Sequence, residues 1–432
     1  MKVLIVGGGG REHALAWKAA QSRLIDELHV APGNPGIGGF ALCHRGVKAT
    51  DIEGQVALAR KLHADLVIVG MDDALALGLV DRLHDAGIKT FGPAKEAARL
   101  EWSKGFAKEI MTKASVPTAR YGSFTDYEAA RAHLEREGVP IVIKADGLAL
   151  GKGVSVCTTM AEAEAALKAA MLDRAFGEAG ARVLIEEFMK GDEVSILAFS
   201  DGRTIKQMVS AQDHKPVGDG DTGPNTGGMG TYAPVPAYTP EVARTVQKHI
   251  LEPVIAAMAD RGAPFVGCLF AGLMLTADGP KVLEFNARFG DPEAQVVLPL
   301  LENDLLEVLL ACVEGRLKDI DLRFREGAAA NVVVASPGYP GGYPKGLPIH
   351  GLDKAEKLGV RIFHAGTALD DNGVLVTAGG RVLGVMAVGA DLREALSRAY
   401  AGVEAVQFEG KQYRRDIGWR SLREGTEGRP LR

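Results

Sequence analysis

Long apolar runs are missing from this sequence. Its most continuous apolar stretches, Val3–Val6 and Leu66–Val69, are strand-sized and far short of the roughly 20 residues a helix needs to cross a bilayer, so no membrane partner is expected. The opening residues Met1-Lys2-Val3-Leu4-Ile5-Val6 run straight into glycines with no signal-peptide cleavage pattern. Cysteine is scarce as well. Cys43, Cys157, Cys268 and Cys312 are scattered, and no pair has the spacing of a metal site or a redox motif. They read as buried, reduced thiols, and a cytoplasmic location is expected. Neither charge dominates: 50 basic against 55 acidic side chains leave a net of −5. That argues against nucleic acid as the main partner, since binding its backbone needs a basic surface, but leaves room for a local basic pocket for a small phosphorylated ligand.

Glycine is plentiful, with 54 residues gathered in particular loops, which points to tight turns and close backbone approach to ligands. The length of 432 residues suggests about three units as a soft prior. Residues 1 to about 100 alternate strands (Lys2–Val6, Glu27–Val30, Asp65–Val69, Lys89–Phe91) with helices (Arg11–Ala20, Asp51–Leu62, Leu75–Asp85), the pattern of a doubly wound parallel sheet. Residues near 125–195 read as a compact insert: helix Tyr127–Glu137, strand Ile141–Lys144, a glycine loop, strand Val154–Cys157, helix Ala161–Met171, strand Val183–Phe188. A longer mixed stretch follows. It holds strand Val194–Phe199, a polar glycine-rich loop from Gln212 to Gly230, helix Pro240–Asp260, and strands Leu269–Leu275 and Lys281–Asn286 joined at Asp278-Gly279, a hairpin signal. Short strands with Gly-Pro turns close the chain.

Five segments carry chemistry. Gly7-Gly8-Gly9-Gly10-Arg11-Glu12-His13 lies between a strand and a helix, where outward N–H groups and the helix dipole favour an anion. A phosphorylated small ligand, a dinucleotide and a plain packing turn are the readings. The dinucleotide is disfavoured, because the third fingerprint glycine is absent and no acid ends the second strand. The second segment, Ile143 to Val154, places Lys144 in an apolar strand, costly without an anionic partner, and follows it with a loop of three glycines and Lys152 that can cover phosphates as a lid. Third, Val183 to Glu193 offers apolar residues and then Glu186, Glu187, Phe188 and Glu193 at a strand end, a candidate edge for adenine and ribose and, equally, a common surface pattern. In the fourth, Val282 to Pro292, a period of two puts Glu284, Asn286 and Arg288 on one face and Leu283, Phe285 and Ala287 on the core side. A carboxylate and an amide oxygen two residues apart suit Mg²⁺, and Arg288 beside it could offset charge on a transferring phosphoryl group; a chance edge strand is the alternative. Fifth, Gln212 to Gly230 is a polar loop of the kind that is usually functional. Asp213 could hold a substrate ammonium there, and His214 could be a general base or a hydrogen-bonding loop residue.

Taken together these residues resemble the ATP-grasp superfamily and, within it, the phosphoribosylamine–glycine ligase family. The resemblance runs in order through Gly9 to His13, Ala31-Pro32-Gly33-Asn34, Lys144 to Gly153, Gln212 to Lys215, Asp221 to Gly230, Glu284 to Glu293, Phe363 to Thr367, Gly379 to Leu383 and Asp416 to Arg420. The run from Asp221 to Gly230 is its most specific part. The resemblance implies an α/β and α+β multidomain chain: an N-terminal doubly wound parallel sheet (1–101), a central ATP-grasp domain (102–122 and 195–326), a mobile lid (123–194) and a small mixed C-terminal domain (327–432). It also implies ATP with Mg²⁺, or Mn²⁺ in its place, and the small-molecule substrates glycine and 5-phosphoribosylamine, handled by a monomer or weak homo-oligomer. In that reading Lys104, Lys144 and Lys152 contact ATP phosphates, Glu186, Glu187 and Phe188 hold adenine, and Glu193 takes the ribose. Glu284 and Asn286 bind the metal, and Arg288 with Lys144 serves catalysis. Gly9, Arg11, Glu12 and Asn34 face the ribosylamine, and Asp213, His214, Lys215, Asn225 and Asp291 make the remaining substrate contacts. Two departures stand out. Met71-Asp72-Asp73-Ala74 replaces the family's usual Pro-Glu-Ala-Pro, which shortens the carboxylate's reach, and the strand from Phe270 to Leu275 carries no acid.

Overall fold

A computed structural model describes residues 1–147, 153–175 and 177–424. The chain begins as a five-stranded parallel sheet. Strands Lys2–Gly7, Glu27–Pro32, Leu42–Cys43, Leu66–Val69 and Thr90–Phe91 lie in the order third, second, first, fourth, fifth, and all four pairings are parallel. Val3, Leu4, Ile5 and Val6 are fully buried, as a sheet covered on both faces requires. The doubly wound sheet expected for this part of the chain is present. The expected helix Leu75–Asp85 is two helices, Asp72–Ala76 and Leu79–Asp85. Gly78 at φ +86° breaks it, a conformation open to glycine.

The insert forms its own four-stranded sheet from Tyr121–Phe124, Val183–Glu187, Ile141–Ala145 and Val154–Cys157, in that spatial order. Helices Tyr127–Glu137 and Met160–Met171 cover it. Its core, built on Leu134, Ile141, Ile143, Leu167, Val183 and Ile185, is separate from the two larger clusters that fill the remainder of the molecule.

The central sheet is antiparallel, with Ile205–Gln207, Asp192–Asp201, Val266–Thr276 and Gly279–Asn286 in spatial order. The hairpin between its last two strands is present, but Thr276 pairs with Gly279. Ala277 and Asp278 therefore form the turn, and Gly279 takes the positive φ of +103° one residue later than the sequence signal suggests. The Pro240–Asp260 helix contains a π turn at Gln247–Leu251. A final sheet orders Gln212–Asp213, Gly230–Ala233, Ala328–Ala335, Arg381–Gly389 and Arg361–His364. Both ends of the polar loop from Gln212 to Gly230 are thus anchored in the sheet built mainly by the C-terminal part of the chain. Of the four cysteines, Cys157, Cys268 and Cys312 are buried, Cys43 is half-buried, and all are free thiols. Among the described residues no helix is long and apolar enough to cross a membrane.

Candidate active site

Lys144 has the anionic partner that its place in an apolar strand demands. Its Nζ lies 3.0 Å from Glu186 Oε2 and donates to the Leu283 carbonyl at 2.9 Å. Glu186, 2 % exposed, also meets Lys108 Nζ at 3.2 Å, and Lys108 in turn donates to Thr118 Oγ1 at 2.8 Å. The Glu186 carboxylate is thereby committed to two buried lysines, so its side chain fixes the cations rather than presenting an edge to adenine. Glu187 is committed to the Arg120 backbone N–H at 3.0 Å and to its Nε at 2.7 Å. Phe188 beside it is partly exposed. Lys104 starts the helix Lys104–Lys113, capped by Ser103, and donates to the Gly147 carbonyl at 3.2 Å. Burial lowers its pKa, opposed chiefly by Glu284. Lys152 lies outside the described residues.

Strand Gly279–Asn286 carries the acid at the centre. Burial disfavours a charged Glu284, yet Lys215, Lys144, Lys104 and Arg288 together outweigh it and hold the carboxyl below its ordinary pKa. The strand is not regular here. Gly272 pairs with Glu284, but Leu273 pairs with Val282. Leu283 therefore bulges out of the ladder, only half-buried rather than core-facing, with its carbonyl on Lys144. Asn286 Oδ1 accepts from Arg288 at 3.3 Å. One ionised carboxylate and one amide oxygen form a donor set that fits a hard cation drawing its other ligands from phosphates. Among the described residues no cluster of three His, Cys, Asp or Glu could hold a metal alone.

The polar loop crosses this strand's end. Lys215 Nζ pairs with Glu193, and burial is outweighed by Glu193 and Glu284, so its pKa is raised. Burial, and then the neighbouring Glu293, push the Asp213 carboxyl well up. Glu293 is raised too, by burial, despite a 3.0 Å hydrogen bond from Ser195. Gly228 makes the close approach possible, since a Cβ there would stand 2.5 Å from Pro292 Cδ and 2.6 Å from Asp213 Oδ1. His214 is no base. Its Nδ1 donates to the Gly230 carbonyl at 3.1 Å and its Nε2 accepts from the Gly418 N–H at 3.1 Å. Burial pushes its pKa down to about 4. Both ring nitrogens are taken, which removes His214 from the substrate contacts. Asn225 sits exposed on the hairpin Pro216–Gly218/Thr222–Asn225.

The N-terminal glycine loop faces the same region, with a correction. Gly9 N–H donates to Glu12 Oε2 at 2.7 Å, and Asp291 lies within 3.6 Å of a Cβ built on Gly9. The helix start already carries its own carboxylates, which argues against a phosphate docked there. Arg11 pairs with Glu12 at 2.6 Å and with Asp72 at 3.6 Å, so the shortened Asp72 side chain still reaches a cation. Asn34 is a clamp: its Nδ2 donates to the Gly8 and His364 carbonyls, both at 2.9 Å, and its Oδ1 accepts from Ile37 N–H.

Known proteins match this arrangement over almost the full chain. Family profiles described as phosphoribosylglycinamide synthetase match the N domain over residues 1–101, the ATP-grasp (A) domain over 102–294 and the C domain over 329–420. A phosphoribosylamine–glycine ligase of Mesorhizobium japonicum is 51 % identical over 98 % of this chain and 99 % of its own length. One of Brucella melitensis is 49 % identical over 98 % of both. The chain belongs to the phosphoribosylamine–glycine ligase family. The crystal structure of the Thermotoga maritima phosphoribosylamine–glycine ligase superposes with a TM-score of 0.83 at 35 % identity, covering 97 % of this chain and all of that one. The biotin carboxylase domain of Hydrogenobacter thermophilus 2-oxoglutarate carboxylase, at 18 % identity and a TM-score of 0.72 over 95 % of this chain and 91 % of that one, shares the fold.

Four residues of this ligase-family site were not singled out by sequence reasoning. Lys108 completes the Glu186 pairing, and Glu101 holds Arg288 at 2.9 Å. Arg381 donates to the carbonyls of Gly227 at 2.5 Å and Asp291 at 2.8 Å, tying two loops together. Glu293 shares the burial of Asp213. Only Lys108 carried a usable signal: it falls in the apolar half of a helix in which Ile110 and Met111 are also buried.

Proposed function

We propose that this chain ligates glycine to 5-phosphoribosylamine with ATP, giving glycinamide ribonucleotide, ADP and phosphate. Membership of the family supports the overall reaction. The observation that carries the site assignment is Glu284, kept ionised by Lys104, Lys144, Lys215 and Arg288. These four cations fit a polyphosphate, and the carboxylate among them fits a Mg²⁺ ion, with Mn²⁺ as substitute, shared with Asn286. The ion when bound would offset phosphate charge.

Glycine's carboxylate oxygen attacks the γ-phosphorus as ADP leaves, giving glycyl phosphate. The amine nitrogen then attacks the carbonyl, loses a proton and expels phosphate, which keeps the oxygen that came from glycine. Arg288 and Lys144 stabilise charge on the phosphoryl group. Asp213, raised in pKa beside Glu293, suits an ammonium: a cation placed there restores its ionised form. Glu12, Asp72 and Asp291 around Arg11 suit the hydroxyls and amine of the ribosylamine rather than its phosphate. The insert of 123–194, with its separate core, acts as a lid that keeps water from the acyl phosphate, and Lys152 belongs to it.

ADP release tests this reading. Wild type should release ADP with glycine plus 5-phosphoribosylamine and not with formate or bicarbonate. Glu284→Gln should fall at least about 100-fold in kcat, the scale of losing one preorganised electrostatic contact, while its melting temperature holds. Equal turnover without glycine, or an unaffected Glu284→Gln, would overturn it.

A further inference from the structure

Arg288 lies beyond the end of its strand. The ladder stops at Asn286, and Ala287 and Arg288 form a bend, so strand alternation does not by itself aim the guanidinium. Glu101 does what the ladder cannot. It stands in the helix Lys95–Trp102, 186 residues away from Ala287 in sequence. Its Oε2 accepts the Ala287 N–H at 2.8 Å, and its Oε1 meets Arg288 at 2.9 Å. The two oxygens of one carboxylate thus fix both the backbone of the bend and the side chain it projects. The Glu101 side chain is 7 % exposed and that of Arg288 16 %, so water screens this pair little. Arg288 Nε is buried without a hydrogen-bond partner among the described residues, leaving the guanidinium a free donor. Glu101 also precedes Trp102 and Ser103, the cap of the helix that begins with Lys104. One carboxylate therefore sits at the junction of the phosphate-side lysine and the phosphoryl-side arginine.

We propose that Glu101 is a positioning residue for phosphoryl transfer: it locks the Arg288 guanidinium in place and does not itself touch substrate. The inference rests on the role given to Arg288 above. Removing the lock leaves ATP binding to the lysines largely intact and misplaces a group needed as charge develops, so the effect belongs in kcat.

The test is steady-state kinetics of the full chain with Glu101→Gln, Glu101→Asp, Arg288→Met and the double variant Glu101→Gln/Arg288→Met, with melting temperatures in parallel. Glu101→Gln should lower kcat about 100-fold with KM for ATP changed less than about threefold. Glu101→Asp, which keeps the charge but cannot span both contacts, should fall between it and wild type. In the Arg288→Met background the Glu101→Gln loss should vanish, because its target is gone. Multiplicative losses in the double variant, or a loss expressed in KM for ATP, would overturn the proposal. If Glu101→Gln does not fold, Glu101→Asp alone and combined with Arg288→Met decides on the same criteria. A wild type without glycine-dependent ADP release would overturn the ligase reading instead, and an undiminished Arg288→Met would overturn the role of Arg288.

Discussion

At the residue scale, buried ionisable groups are what make this sequence interpretable. Lys144 in an apolar strand implies an anion, and Glu186 supplies it. The anion's identity was not legible, because Glu186 is brought alongside only by the antiparallel pairing of Ile141–Ala145 with Val183–Glu187. Glu101 with Arg288 and Arg381 with Asp291 were hidden for the same reason: ion partners far apart in sequence leave no local periodicity. His214 shows the opposite error, since a histidine in a polar loop suggested chemistry while both its nitrogens serve the backbone. His13, His214 and His364 are all buried, and burial lowers each; His214 and His364 reach about 4 against an ordinary 6.5. Between those values the unfolded chain takes up protons that the folded chain does not, so stability present above about pH 6.5 is lost as pH falls towards 4. His364→Gln, which can keep the hydrogen bond to Thr367 Oγ1, should lose about 3 kcal/mol less across that window. Chemical denaturation at pH 7 and pH 4.5 measures this, and parallel losses in variant and wild type would contradict it.

At the scale of elements, strand runs and helix caps were readable and local irregularities were not. The period of two placed Glu284 and Asn286 together, but it assigned Leu283 to the core and treated Arg288 as a strand residue. A bulge takes Leu283 out, and Glu101 holds Arg288 beyond the strand's end together with Asn286 Oδ1. Neither bulge nor bend has a composition signature here. The polar loop was recognisable by its glycines, and Gly228 is the position where one is required, at φ +110° against Pro292 and Asp213. Gly228→Ala should lower stability by about 1–3 kcal/mol. It should also raise KM for glycine, because the added Cβ meets the Asp213 carboxylate at 2.6 Å and displaces it. Thermal unfolding and glycine kinetics together check this; an unchanged KM with a normal melting temperature would remove Asp213 from the glycine site.

At the scale of the whole molecule, the candidate site is shared. The parallel sheet brings Arg11, Glu12 and Asp72, the insert brings Lys144 and Glu186, the central sheet brings Glu284 and Arg288, and the C-terminal sheet anchors the loop that carries Asp213 and Lys215. Alternating strands and helices made the first unit legible. The joining of Gln212–Asp213 and Gly230–Ala233 to a sheet whose other strands begin about 100 residues later was not, because long-range pairing has no local sequence mark. A site shared in this way suits the proposed reaction, in which one substrate is activated by ATP and handed to an amine. The most direct test follows one atom. With glycine labelled with ¹⁸O in both carboxylate oxygens, Mg-ATP and 5-phosphoribosylamine, mass spectrometry of the released phosphate should find one ¹⁸O per phosphate formed, carried over from glycyl phosphate. Unlabelled phosphate released together with glycinamide ribonucleotide would contradict activation of the carboxylate by phosphoryl transfer.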